Sequence, residues 1–365
     1  MDNIITYAEQ TLDTFTARPF CDVDSLILSC LAYLDIPQEL AAAHSWKGLP
    51  LRDLFRAEHF DRLFSVTFAP ERTKTLLTAL AASPRFREVR VMGYVDHTDE
   101  MLEKQFSAMT FRLADRLSFV AFRGTDSTIV GWKEDFNMAF RSPNPSQEEA
   151  IRYLTVAGRH CPGSILLGGH SKGGNLAVYA AAFCKESLQL RIERVYSHDG
   201  PGFLPHVLES PGFSRIGSRV EKTLPQSSVI GMLLEHQESA KIIKSRTVSL
   251  LQHDPFTWVV ENGSFLPLEQ LTLDARHVDR TLSAWLLKLD NGERERIVDA
   301  LFGILETTDV RTFDQLRTDW QKNLPAVARQ VVHLDADTRE LLFRALRELA
   351  LISVKALPET IKKDN

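Results

Sequence analysis

The residues whose types and spacing can do chemistry gather on one short pattern, Gly169-His170-Ser171-Lys172-Gly173. An apolar run, Ile165-Leu166-Leu167, precedes it, and Leu176, Ala177, Tyr179, Ala180 and Ala181 follow at spacings that suit a helix packed tightly on a sheet. G-x-S-x-G between a strand and a helix is the pattern of a nucleophile elbow, a turn so sharp that side chains larger than hydrogen at the flanking positions collide. The competing reading is a glycine-rich turn at a helix N-terminus. A P-loop is excluded, because no Lys-Ser or Lys-Thr follows the second glycine at the required spacing.

A serine hydroxyl at its ordinary pKa is a weak nucleophile. It needs a histidine to take its proton and a carboxylate to orient that histidine. On this kind of fold the chain order is serine, acid, histidine, with acid and base on loops at the carboxyl ends of later strands. The histidines after Ser171 are His198, His206, His236, His253, His277 and His333. Only His198 and His253 directly follow a predicted strand, and His198 comes too early for the order. His253 is therefore the expected base, against the alternative of a turn residue beside Asp254-Pro255. Asp199, at the end of the strand after the elbow helix and followed by Gly-Pro-Gly, is the expected acid. Its competing role is an Asp-Gly turn former, and Glu221, Glu235 and Asp254 are rival acids. The tetrahedral oxyanion needs waiting donors. The Lys172 N–H and Thr125, at the strand end Arg123-Gly124-Thr125-Asp126, are the candidates.

The elements that must hold these residues are legible in outline. Residues 2 to about 60 read as short helices, one carrying Leu26, Ile27, Leu28, Leu31 and Leu34, capped by Asp22 or Asp24 and stopped by Pro37. Arg52–Phe64 and Thr73–Ala82 read as further helices. From Glu88 the pattern alternates, and strands at about 89–95, 104–113 and 117–122 joined by short connections predict an antiparallel meander. Ile129–Ala139 reads as a helix, as does Gln147–His160. Strands are expected at Ile192–Ser197, Arg219–Leu224 and Lys241–Leu251, the last leading directly into His253. From Asp274 the chain turns helical again, with Leu282, Trp285, Leu286 and Leu289 on one face. Asp337-Thr-Arg-Glu340 resembles a capping box near the end. The expected fold is α/β, an α/β-hydrolase with a mixed sheet. Its predicted organisation is an N-terminal helical segment (1–84), a hydrolase core (85–273) and a C-terminal helical segment (274–365).

Composition narrows the function classes. The chain has 365 residues, 44% hydrophobic and 25% charged, the balance of a globular protein. A net charge of −5 leaves no basic footprint for nucleic acid. Cys21, Cys30, Cys161 and Cys184 are scattered among apolar residues without metal-type spacing, which predicts buried free thiols in a reducing compartment. No signal peptide or transmembrane run is visible, so the expected location is the cytoplasm. Neither a cofactor nor a metal is expected.

Phe122-Arg-Gly-Thr-Asp126, an apolar helix and then Gly169-His-Ser-Lys-Gly173 together resemble the class 3 (fungal triacylglycerol) lipases. In that family the residue after Arg-Gly supplies the oxyanion hole and the following helix acts as a lid, which here implies Thr125 and the segment with Ile129, Val130, Trp132 and Phe136. The same aromatic spacing also suits a core helix. Further stretches resemble a bacterial branch of the α/β-hydrolases, the Mbeg-like family, whose substrate is not established. They are Val23-Asp-Ser-Leu-Ile-Leu-Ser, Gly169-His-Ser-Lys-Gly-Gly-Asn-Leu-Ala, His198-Asp-Gly-Pro-Gly-Phe, Pro225-Gln-Ser-Ser-Val-Ile-Gly-Met and Gln252-His-Asp-Pro-Phe-Thr-Trp. One departure stands out. Class 3 lipases carry their acid about three residues before a proline on a later strand, and the matching position before Pro225 is Lys222. Either Asp199 has taken over or the triad is incomplete.

The expected function is hydrolysis of a carboxylic ester or thioester by Ser171, His253 and Asp199. Its substrate partner would be a small acyl ester or thioester. The alternative is a hydrolase-fold protein of weak or no activity that binds protein partners through its terminal helices, with a peptidase as a third reading.

Overall fold

In the computed structural model, an eight-stranded sheet runs in strict sequence order. The structure describes residues 2–125 apart from 100 and 103, residues 134 and 138, 141–234, 240–272, 289–306, and 329–355 apart from 330. The strands are β1 (Leu49–Pro50), β2 (Arg90–Asp99), β3 (Lys104–Ala114), β4 (Leu117–Phe122), β5 (Ser164–His170), β6 (Ile192–His198), β7 (Val220–Pro225) and β8 (Ala240–Ile243). Pairing is antiparallel from β1 to β4 and parallel from β4 to β8. The parallel half needs crossovers, and helices lie in those between β4 and β7. They include α4 (Pro145–His160) before β5, α5 (Lys172–Phe183) after it and α6 (Pro211–Ile216) before β7. This is the mixed sheet of an α/β-hydrolase fold, with its antiparallel meander at the N-terminal edge.

Both faces of the sheet are covered, which explains why its central strands read as nearly continuous apolar runs. One face carries Phe111, Phe119, Leu166 and Tyr196. They pack against α2 (Asp22–Leu31) and α3 (Pro70–Ala82), with α1 (Ile4–Gln10) beyond. The alternate residues Val120, Phe122, Leu167 and Val195 face α4, α5 and α6. The N-terminal helices thus make up most of that layer, with Phe256, Trp258 and Phe265 packed beside them. A buried ion pair locks that layer: Arg85 Nη2 meets Asp24 Oδ2 at 2.6 Å, both side chains fully buried. Asp24 also closes the N-terminus of α2, its Oδ2 accepting the Cys21 N–H at 2.9 Å, which makes Asp24 the capping partner. Cys21 is half-buried, the other three cysteines are buried, and all four are free thiols.

The structure departs from the sequence reading in several places. The helix expected to carry Leu34 and stop at Pro37 ends already at Leu31, because the chain turns at Ala32 and Tyr33. Arg52–Phe64 is not one helix but two 3-10 turns and a single α-turn at Phe60–Leu63. The strand expected over Lys241–Leu251 stops at Ile243. Beyond it the chain turns to pair with its own later segment: Arg246 N–H donates to the Thr257 carbonyl and Val259 N–H to the Lys244 carbonyl, both at 2.9 Å. His253 consequently ends a 3-10 turn, Ser249–His253, rather than following a strand. The last helix, α8 (Ala336–Lys355), is capped by Asp335, which accepts the Thr338 N–H at 2.9 Å, and not by Asp337. It packs on α7 (Asn291–Glu306) through Ile297, Leu341, Leu342 and Ala345, with Leu289 alongside. The helix expected at Ile129–Ala139 lies outside the described residues save for 134 and 138, as do Leu282, Trp285 and Leu286.

Candidate active site

Ser171 sits between the last residue of β5 and the first of α5, with φ 58° and ψ −133°. An L-residue rarely adopts this conformation, which costs on the order of 1–3 kcal/mol. The flanking glycines make the turn possible. A Cβ on Gly169 would lie 2.2 Å from the Gly173 carbonyl carbon, and one on Gly173 would lie 2.1 Å from the Phe122 oxygen. Ser171 N–H donates to the His198 carbonyl at 2.9 Å, tying the elbow to the end of β6. Its position at the start of α5 also places it at the positive end of that helix's dipole.

Asp199 follows β6 directly and comes level with Ser171, because β5 and β6 are parallel and in register at His170 and His198. Its φ of 51° turns the side chain off the strand, and its N–H is held by the Thr223 carbonyl at 2.8 Å. Oδ1 accepts from the Ser228 hydroxyl at 2.5 Å, and Oδ2 lies 2.6 Å from His253 Nδ1. Gly231 is required beside it, since a Cβ there would come within 2.4 Å of Asp199 Oδ1. The carboxylate is 1% exposed and the imidazole 27%, so the pair has a dry end and a wet end.

The His253 turn is anchored on both sides. Gln252 is fully buried, accepts the Ser227 N–H at 2.8 Å and donates to the Thr247 carbonyl at 2.7 Å. Asp254 pairs with Arg72 of α3 at 2.6 Å. The His253 carbonyl lies 2.8 Å from His170 Nε2. Among the described residues, no hydrogen bond joins the Ser171 hydroxyl to His253 in this conformation. Such bonds often tighten only when substrate is bound.

The loop after β4 runs alongside the serine. A Cβ on Gly124 would lie 3.1 Å from the Ser171 Cβ, 2.6 Å from the His170 oxygen and 2.1 Å from the Tyr33 hydroxyl. Arg123 fixes this loop with a bidentate contact to Asp96 at 2.6 and 3.0 Å, and with its N–H on the Ser107 carbonyl at 2.9 Å. Thr125, half-buried, is the next residue. The Lys172 side chain points away into the protein, where its Nζ meets Glu134 Oε2 at 3.0 Å and the Gln105 carbonyl at 2.9 Å. Glu134 in turn accepts the N–H groups of Gln105 and Ser146, each at 3.0 Å. Only the backbone of Lys172 is therefore placed to serve the elbow.

The rival residues are engaged elsewhere. Glu221 pairs with Arg194 at 3.1 Å on the edge of β7, and Asp254 with Arg72. Glu235, His236 and His277 lie outside the described residues, while His206 and His333 are exposed. His198 is fully buried, its Nε2 2.9 Å from the Ser25 hydroxyl, and burial pushes its pKa down to about 3. Lys222 is buried in β7, in register with Ser197 of β6 and Ala240 of β8. Ser228, Glu134, His170 and Tyr33 escaped the sequence reading. Ser228 at least lies within Pro225-Gln-Ser-Ser-Val-Ile-Gly-Met, a stretch noted for its resemblance alone.

A serine on a strand-to-helix elbow of a mixed, largely parallel sheet defines the α/β-hydrolase class. Within it, the chain matches the Mbeg1-like family over residues 80–303, and it belongs to that family. Among solved structures it is similar to the native lipase propeptide complex of Rhizomucor miehei, with 14% identity, 66% of this chain and 67% of that chain covered, and a TM-score of 0.37. A deletion mutant of the same complex gives 14% identity, 66% coverage of each chain and a TM-score of 0.37. No curated protein matches the chain. Among the described residues no helix is long and apolar enough to cross a membrane.

Proposed function

We propose that this protein is a serine hydrolase that cleaves a carboxylic ester or thioester through an acyl-enzyme. The observation that carries the reading is the Asp199–His253 pair at 2.6 Å, which joins the end of β6, next to the left-handed Ser171, to the 3-10 turn that ends at His253. With Nδ1–H committed to the carboxylate, His253 Nε2 holds the lone pair that takes a proton. Ser171 Oγ attacks the acyl carbon as its proton passes to Nε2. The imidazolium that forms faces the buried Asp199 charge. The oxyanion receives the Lys172 N–H and Thr125, next to a glycine that nearly touches the serine. Collapse expels the alcohol or thiol, which leaves with the proton from Nε2, and water activated by the same nitrogen releases the acid.

An acid at position 222 is unnecessary in this scheme, because Asp199 already meets the histidine. That removes the main motive for reading the chain as an inactive scaffold that binds partners through its terminal helices. Four free thiols, three of them buried, suit a protein working in the reducing cytoplasm. A fluorophosphonate probe tests the chemistry. Labelling of Ser171 in the folded protein, lost in Ser171→Ala, is the expected result. An unlabelled wild-type protein beside a reactive control hydrolase overturns the proposal.

A further inference from the structure

His170, the residue before the candidate nucleophile, is buried and bonded at both ring nitrogens: Nε2 to the His253 carbonyl at 2.8 Å, Nδ1 to the Tyr33 hydroxyl at 3.3 Å. A carbonyl oxygen only accepts, so Nε2 must carry a proton and donate. Burial, with the neighbouring His253 as a smaller cause, holds the His170 pKa well below the usual histidine value, so the ring is neutral. A neutral ring with Nε2–H has a lone pair on Nδ1, and the Tyr33 hydroxyl must donate to it. The chain of donors therefore runs one way: Tyr33 O–H to His170 Nδ1, then His170 Nε2–H to the His253 carbonyl.

Each end of that chain touches a part of the site. Tyr33 lies two residues past the end of α2, and its hydroxyl stands where a side chain on Gly124 would be, against the loop that carries Thr125. The far end grips the main chain of the base. The His170 and His253 rings also lie with centroids 4.5 Å apart, so the contact is both polar and packed. Phe68 covers the pair from outside, with centroids 5.2 Å from Tyr33 and 6.1 Å from His170. Tyr33 and Phe68 both precede residue 80, where the family match begins.

The geometry points to His170 as a positioning residue that holds the His253 main chain beside the elbow, with Tyr33 from the N-terminal layer fixing its tautomer. The kinetic consequence rests on the hydrolase reading; the structural one does not. The substitutions separate the two. His170→Phe keeps a buried ring and removes the donor, whereas His170→Gln places an amide N–H close to where Nε2–H stood. Two readouts apply: the rate of fluorophosphonate labelling, and the downfield NMR resonance of the His253 Nδ1 proton, assigned by its loss in Asp199→Asn. A base displaced by an ångström costs about 10²-fold, so His170→Phe is expected to label about 30- to 100-fold more slowly and to lose or shift that resonance. His170→Gln is expected to recover both, with labelling within about threefold of wild type. Tyr33→Phe, the milder change, slows labelling about fivefold, the weight of one hydrogen bond, and keeps the reading testable if His170→Phe does not fold. A folded His170→Phe with unchanged resonance, a Tyr33→Phe with wild-type resonance and labelling, or a His170→Gln as defective as His170→Phe overturns the inference. If the wild type never labels yet the resonance follows this pattern, the hydrolase reading fails and the positioning role stands.

Discussion

Two buried carboxylates in this molecule carry the same charge and are answered in opposite ways. Asp24, in the first turn of α2, is fully buried and meets four donors among the described residues. Tyr7 O–H at 3.0 Å and Arg85 Nε at 2.9 Å bind one oxygen; Arg85 Nη2 at 2.6 Å and the Cys21 N–H at 2.9 Å bind the other. Arg85 also donates to the carbonyls of Asp13, Arg18 and Pro19, and lies over the Phe15 ring at 4.1 Å. A guanidinium never loses its proton in a protein, so the positive partner of Asp24 is permanent. The Asp199 carboxylate, 1% exposed, meets a hydroxyl and an imidazole among the described residues. Its cation exists only when His253 picks up a proton. The difference teaches what each site is for: one fixes a layer of the fold, and the other keeps a charge in reserve.

Three changes break or sharpen that contrast, from the largest effect to the smallest. Asp199→Asn is expected to slow turnover of an activated ester by about 10³- to 10⁴-fold, since the wrong imidazole tautomer then faces the serine. Its unfolding midpoint in urea should stay near wild type. A loss below about tenfold would place the acid elsewhere and erase the distinction. Arg85→Met should do the reverse. Leaving the Asp24 charge buried and unpaired costs about 3–5 kcal/mol, read as a lower urea midpoint, with near-normal turnover per folded molecule. If that variant does not fold, pairing it with Asp24→Asn should restore part of the stability, because no charge is then stranded. An Arg85→Met protein of wild-type stability would mean the pair is not the lock described. Ser228→Ala is the finest probe. It removes the Ser228 hydroxyl from Asp199 Oδ1, and a hydrogen bond to a charged group contributes about 1.5–3 kcal/mol, enough for a fall in turnover of about ten- to hundredfold. A drop in stability of that size without any kinetic effect would make Asp199 resemble Asp24.

Much of the frame was legible because it is written locally. The elbow needs small residues two positions either side of the serine, and Gly169 and Gly173 announce it within five residues. The strand at Leu117–Phe122 falls where alternation and a tight turn place it. The end of β8 was not legible. Lys241–Leu251 has a plausible strand composition, yet after Ile243 its backbone finds better partners in Thr257 and Val259 than in the sheet. The Asp337 capping motif misled for a related reason: Asp335 begins the same helix two residues earlier with an equally good side chain.

By itself, then, the sequence determined the fold class, the elbow, and the ends of β4 and β6 where chemistry can sit. Periodicity and turn stereochemistry act over a few residues, and those are complete in the one-dimensional text. Only the tertiary structure decided which carboxylate meets the histidine. Asp199 and His253 are 54 residues apart, and Tyr33 and His170 are 137 apart. Such pairs are made by strand register and by the packing of the N-terminal layer, which no local pattern encodes. Lys222 stands where a related pattern led one to expect the acid, and parallel register brings Asp199, one strand earlier, to the imidazole instead.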